Sequence, residues 1–101
     1  MPATIPIKIP LDAVATLCRR YQVRELSVFG SALRPDFSDD SDVDLLVTFK
    51  PEVQIGLIAF LRFQRELSEA LGRKVDLVSR NGLKPLIRDE ILAQAQVLYA
   101  A

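Results

Sequence analysis

Apolar side chains recur along this chain in two rhythms, and the switches between them divide it into elements. From Leu11 the residues Leu11, Val14, Leu17, Cys18 and Tyr21 fall at helical spacing, and Pro10 can open that helix at its first turn. Cys18 lies on this stripe and reads as a small buried hydrophobe. Val23 to Phe29 reads as a strand ended by Gly30, and Leu33-Arg34-Pro35-Asp36 limits any helix after it to a turn or two. Val43 to Phe49 is the clearest strand, closed by Lys50-Pro51. Gly56 to Leu71 returns to the helical rhythm, with Leu57, Phe60, Leu67 and Leu71 on one face and Gly72 as the stop. Ile58 and Leu61 widen that apolar face, either to complete the core or to form an interface.

Lys74 to Val78 predicts a short strand, and Ser79-Arg80-Asn81-Gly82 a turn. A last helix is expected from about Pro85 to Ala95, with Leu86, Ile87, Ile91 and Leu92 facing inward. Val97-Leu98-Tyr99 then brings further apolar residues, again as core or as interface. Pro2, Pro6 and Pro10 make residues 1–10 an extended arm. The order α-β-β-α-β-α places the chain in the α/β (α+β) class, a small mixed sheet of about three strands flanked by helices. A helix joins the second and third strands, so these two should be parallel.

Composition narrows the function classes. At 101 residues one domain, 1–101, is expected, and 50% apolar with 26% charged residues is a globular balance. Thirteen basic and thirteen acidic residues cancel, which argues against coating nucleic acid or an anionic membrane. Arg19, Arg20 and Arg24, like Arg80, Lys84 and Arg88, then read as solvated faces, with no direct nucleic-acid partner expected. With no histidine, His-based metal sites and Ser-His-Asp or Cys-His catalysis are excluded. A single cysteine suits a reducing compartment. The N-terminus lacks a signal-peptide pattern, and the longest uncharged apolar stretch, Ile55 to Leu61, is far below the roughly 20 residues of a membrane helix. A cytoplasmic protein with no membrane partner is expected.

The chemistry is concentrated between Gly30 and Val47. Alternation along the strand sends Asp42 and Asp44 to one face and Val43, Leu45 and Val47 to the other. Two residues of strand separate α-carbons by about 6.5 Å, so two such carboxylates can converge on a pair of divalent ions roughly 3.5–4 Å apart. Asp76 interrupts an apolar strand in the same way, and it shares that face if its strand lies beside the second. Carboxylates about 4 Å apart repel by roughly 4 kcal/mol at an effective dielectric of 20. Hard cations with oxygen ligands, Mg²⁺ above all, answer that repulsion. Asp36, Asp39 and Asp40 are well explained as a solvated acidic loop, but Asp44 and Asp76, flanked by apolar strand residues, are not. A calcium loop from Asp40 fails because Leu45 stands where its glycine belongs and Pro51 at its twelfth position. Gly30-Ser31 follows a strand, where glycine permits close backbone approach and the serine adds a donor for a phosphate oxygen.

Gly30-Ser31, Arg34 and Ser41-Asp42-Val43-Asp44-Leu45-Leu46-Val47 together resemble the signature of the DNA polymerase β-like nucleotidyltransferase superfamily. The resemblance is closest to its minimal nucleotidyltransferase domains, the MntA-like antitoxins paired with HEPN-domain toxins. It extends through Val75-Asp76-Leu77-Val78 and Gly82 to Leu92, and on to Val97-Leu98-Tyr99. It implies the nucleotidyltransferase fold, with Gly30, Ser31 and Arg34 at the nucleotide and Asp42, Asp44 and Asp76 as catalytic residues holding two Mg²⁺ ions. It also implies transfer of AMP from ATP to a tyrosine of a HEPN toxin, whose RNase activity is thereby disabled. Leu33-Arg34-Pro35 departs from the Ala-Arg-Gly usual in the family, and proline removes one amide donor. The chain offers no second domain for a small-molecule pocket, so the acceptor is expected on a partner protein. The alternatives are an antitoxin that only masks its partner, and a small-molecule nucleotidyltransferase working with a separate acceptor-binding subunit. Homo-oligomerisation is left open.

Overall fold

Strict alternation organises the centre of the sheet. In the computed structural model, which describes residues 8–34 and 41–101, Val43, Leu45 and Val47 are fully buried on one face of strand β2 (Val43–Phe49). Strand β1 (Val23–Phe29) runs antiparallel to it and strand β3 (Val75–Ser79) parallel to it, with Asp44 opposite Phe29 on one side and Asp76 on the other. The parallel pairing expected from the intervening helix is therefore present. The sheet has four strands, not about three: β4 (Gln96–Ala100) adds antiparallel to β1, in the order β3-β2-β1-β4. Val97-Leu98-Tyr99 belongs to this strand, with Leu98 and Tyr99 against the core and Val97 exposed.

Helices α1 (Leu11–Arg20) and α2 (Leu57–Leu71) cover the face to which the β2 valines point. Val14, Leu17 and Cys18 of α1 meet Phe63 and Leu67 of α2 over Leu26, Val28, Leu45, Val47, Val75 and Leu77. Pro10 stands just before α1, its carbonyl accepting from the Val14 N–H at 3.0 Å. Cys18 is buried, and burial pushes its thiol pKa up to about 12, so it is unreactive packing. Tyr21 stacks on Phe63 with ring centroids 4.7 Å apart and donates its hydroxyl to Glu66, whose other oxygen accepts from Arg20 at 2.8 Å. Gly72 ends α2 in the left-handed conformation, φ 66°, a position where a side chain would be strained.

Two inward faces differ from expectation. On α2 the buried anchors are Phe63 and Leu67, with Phe60 half-buried, whereas Leu57 is 73% exposed. Leu57 is the first residue of the helix. Helix α3 (Pro85–Gln94), with Pro85 in its first turn, buries no residue fully, and Leu86 is 91% and Ile87 47% exposed. Ile91 and Leu92 are only half-buried, so α3 is a bridge from one sheet edge to the other and no core helix.

The outer edge of β3 is closed by side chains of α2. Gln64 Oε1 accepts from the Leu77 N–H at 2.9 Å and Ser68 Oγ from the Val75 N–H at 3.0 Å, which satisfies two donors that no strand pairs. These bonds hold the strand that carries Asp76. No helix among the described residues is long and apolar enough to cross a membrane. The acidic loop residues Asp36, Asp39 and Asp40, together with Pro35 and residues 1–7 of the expected arm, lie outside the described residues.

Phe63→Ala should cost about 3 kcal/mol or more in urea unfolding, because it opens a cavity beneath both helices. Leu57→Ala should change stability by under about 0.5 kcal/mol. A larger cost for Leu57→Ala would place it in the core.

Candidate active site

Opposite the helices, the sheet carries Asp44 and Asp76, sent there by the same alternation that buries their neighbours. Asp44 is the second residue of β2 and Asp76 the second of β3, and the parallel register sets them side by side. Asp42 stands just before β2, half-buried, where the Val43 N–H bonds to the Lys74 carbonyl at 2.9 Å and pins the start of both strands. The third wall is the end of β1. Phe29 lies across from Asp44, and the chain then turns through Gly30–Leu33 as one short 3-10 helix anchored by fully buried Ala32.

Gly30 is where backbone and carboxylate come closest. Its φ is +73°, and a Cβ there would sit 2.5 Å from Asp44 Oδ2. Glycine is required twice over, by conformation and by space. The next backbone N–H, of Ser31, donates to the Asp44 carboxylate. The Ser31 carbonyl accepts from Arg34 at 3.0 Å, which closes the turn. Arg34 itself is exposed and is not among the charges acting on Asp44.

Burial raises the Asp44 carboxyl above its ordinary value, Asp76 and then Asp42 raise it further, and the Ser31 N–H opposes them. Asp44 therefore carries the repulsion of both neighbouring carboxylates. Among the described residues, no three His, Cys, Asp or Glu side chains gather tightly enough to hold an ion by themselves. Asp76 is exposed, at the sheet edge. Mg²⁺ in nucleotide sites takes one or two carboxylates and fills its shell with water and phosphate oxygens. The all-oxygen donor set and the glycine cradle beside it fit that demand.

The family described as nucleotidyltransferase domain matches residues 12–98. The chain belongs to the nucleotidyltransferase domain family. The protein adenylyltransferase MntA of Thermococcus cleftensis is 41% identical to it over 78 residues, 77% of each chain. A solved chain assigned as a minimal nucleotidyltransferase is 38% identical, with TM-score 0.73, covering 85% of this chain and 86% of that one. Two more distant structures share the fold. One is a toxin-antitoxin complex with AMP-PNP, 21% identical at TM-score 0.75, covering 92% of this chain and 75% of that one. The other is a tri-AMPylated Shewanella oneidensis HEPN toxin with its MNT antitoxin, 22% identical at TM-score 0.67, covering 90% and 70%. The resemblance read from Gly30-Ser31 and the paired aspartates therefore stands, and the chain is of the nucleotidyltransferase class.

Of the residues singled out in the sequence, Gly30, Ser31, Asp44 and Asp76 come together directly and Asp42 joins them through charge. Arg34 ends the same turn but faces solvent. Sequence reasoning passed over Gln64 and Ser68, which fix the strand beneath Asp76. Their spacing of four on the inner side of α2 was the available signal.

Two expectations follow. Gly30→Ala should destabilise by about 1–3 kcal/mol from backbone strain and displacement of Asp44. Gly82→Ala, with open space around it, should change little, and equal effects in urea unfolding would contradict the cradle. Asp44 holds its proton more tightly folded than unfolded, so its charge weakens the fold as pH rises above about 4. Asp44→Asn in EDTA should therefore gain up to about 1 kcal/mol at pH 7, and the gain should vanish below about pH 4. A loss of several kcal/mol at pH 7 would make Asp44 a structural charge.

Proposed function

We propose that this chain is a Mg²⁺-dependent protein adenylyltransferase that moves AMP from ATP onto a tyrosine of a HEPN-domain toxin, and so serves as its antitoxin. The observation that carries the reading is Asp44 held between the Gly30-Ser31 turn and Asp76, with the charges of Asp76 and Asp42 acting on it. A masking surface has no need of so repulsive a group. The 41% identical relative named protein adenylyltransferase supports the reaction, and the like-folded complexes of toxin and antitoxin support the partner.

Asp42 and Asp44 would hold Mg²⁺, with Asp76 completing the set; the ions, when bound, supply positive charge against the phosphates and the developing oxyanion. The Gly30-Ser31 turn would lie against the phosphates, and Ser31 would offer its hydroxyl to a phosphate oxygen. Asp76 is exposed, so an incoming hydroxyl can reach it. It accepts the tyrosine proton as the phenolic oxygen bonds to the α-phosphorus and the bond to pyrophosphate breaks. Arg34, at the end of the turn, would meet the outer phosphates of ATP.

Asp42→Asn/Asp44→Asn preserves shape and removes two charges. With α-labelled ATP, Mg²⁺ and a HEPN-domain toxin from the same genome as acceptor, wild type should add whole AMP units on tyrosine, seen as intact mass. The double variant should transfer at least about a hundredfold more slowly and fail to protect cells. Full protection by the double variant, with no mass change from wild type, would leave a masking antitoxin.

A further inference from the structure

Strand β3 has a neighbouring strand on one side only, and its open side is met by two oxygens of α2. The Lys74 carbonyl accepts from the Val43 N–H, so alternate residues of β3 face β2, and the N–H groups of Val75 and Leu77 face outward. Gln64 and Ser68 accept from those two, the residues immediately before and after Asp76. The fit is one of dimensions. Four residues of helix rise about 6 Å and two residues of strand about 6.6 Å, so one helical turn spans both donors with Asp76 between them. Each acceptor follows a fully buried anchor, Gln64 after Phe63 and Ser68 after Leu67, so the core fixes where both oxygens stand.

Asp44 and Asp76 are held unequally. Asp44 lies on a strand paired on both sides and receives the Ser31 N–H, whereas Asp76 lies on the edge. An edge strand with unsatisfied donors opens locally, and a displacement of about 1 Å at a reacting group can cost about a hundredfold in rate. A fifth strand would hold β3 equally well, but its side chains would stand beside Asp76 and cover it. Bonds from a helix on the opposite face leave Asp76 exposed to an incoming hydroxyl. We infer that Gln64 and Ser68 are positioning residues for adenylyl transfer, which touch neither nucleotide nor acceptor and act by keeping Asp76 level with Asp44. The inference rests on the proposed reaction, in which Asp76 completes the metal set and takes the acceptor proton.

Gln64→Met/Ser68→Ala removes both oxygens at nearly unchanged shape, and Gln64→Glu/Ser68→Thr puts them back. Hydrogen exchange at the Val75 and Leu77 amides should speed at least about tenfold in the first pair and return toward wild type in the second. With a HEPN-domain toxin from the same genome as acceptor, the first pair should lower kcat for AMP transfer at least about tenfold. KM for the toxin should stay within about twofold, and the second pair should restore kcat. The first pair should also raise, at least about threefold, the Mg²⁺ concentration that gives half the rise in melting temperature with ATP. Ser68→Ala alone should move all three readouts in the same direction. Val14→Ala, which loosens the buried face of α1, should lower the melting temperature yet leave kcat and the Mg²⁺ midpoint as in wild type. Unchanged exchange in the first pair would overturn the inference, as would wild-type kcat and Mg²⁺ midpoint despite faster exchange. So would equal losses in Val14→Ala, no rescue by the second pair, or a wild type whose melting does not respond to Mg²⁺ with ATP. A wild type that transfers no AMP, but whose Mg²⁺ midpoint still depends on the two oxygens, would remove the proposed reaction and leave their hold on Asp76 standing.

Discussion

A half-buried carboxylate with two more carboxylates for neighbours disfavours its own charged state, and Asp44 is in that position. What holds it there is backbone. Gly30 takes up a left-handed conformation that lets the main chain pass within a Cβ's width of the Asp44 oxygen, and the Ser31 N–H donates to it. Any side chain at position 30 would push the carboxylate away. The end of β1, the start of β2 and the start of β3 are thus bound to one requirement, that three acids share a small patch beside a turn.

The rest of the fold supplies rigidity for that patch. The hydrophobic cluster lies on the other side of the sheet, so each inward valine of β2 fixes the strand that presents an outward aspartate. Strand β3 is the weak point, an edge with one neighbouring strand. Helix α2 compensates with Gln64 and Ser68, whose oxygens take the unpaired N–H groups on either side of Asp76. The same helix thereby braces the site through its inner side.

Much of this was legible in the sequence where local signals agreed. Strands β1 and β2 run as expected, because β-branched alternation, Gly30 and Lys50-Pro51 all mark the same limits. Strand β4 was missed because Gln96 to Ala100 follows α3 with no turn residue, and only pairing with β1 defines it. The face expected to point inward on α3 is only half-buried at Ile91 and Leu92 and exposed at Leu86 and Ile87, since helical spacing says nothing about whether a surface waits for it. At the site, Gly30-Ser31 and the alternating aspartates were readable as a motif. The positive φ of Gly30 and the edge bonds from α2 were not, because both arise from strands brought together across the chain. Helical spacing from Gly56 puts Leu57 on the core face, whereas Phe63 is the buried anchor and Leu57 is exposed at the first turn.

The account stands or falls on whether the carboxylates and the Gly30-Ser31 turn act together on a nucleotide and its metal. The direct measurement is the melting temperature with millimolar ATP, with Mg²⁺, and with both, in wild type and in Asp42→Ala/Asp44→Ala. Ligand that binds only the folded state raises it by mass action. The account predicts that the two together raise wild type well beyond the sum of their separate effects, and that the double variant loses this gain. Equal shifts in both proteins, or no shift in wild type, would contradict it.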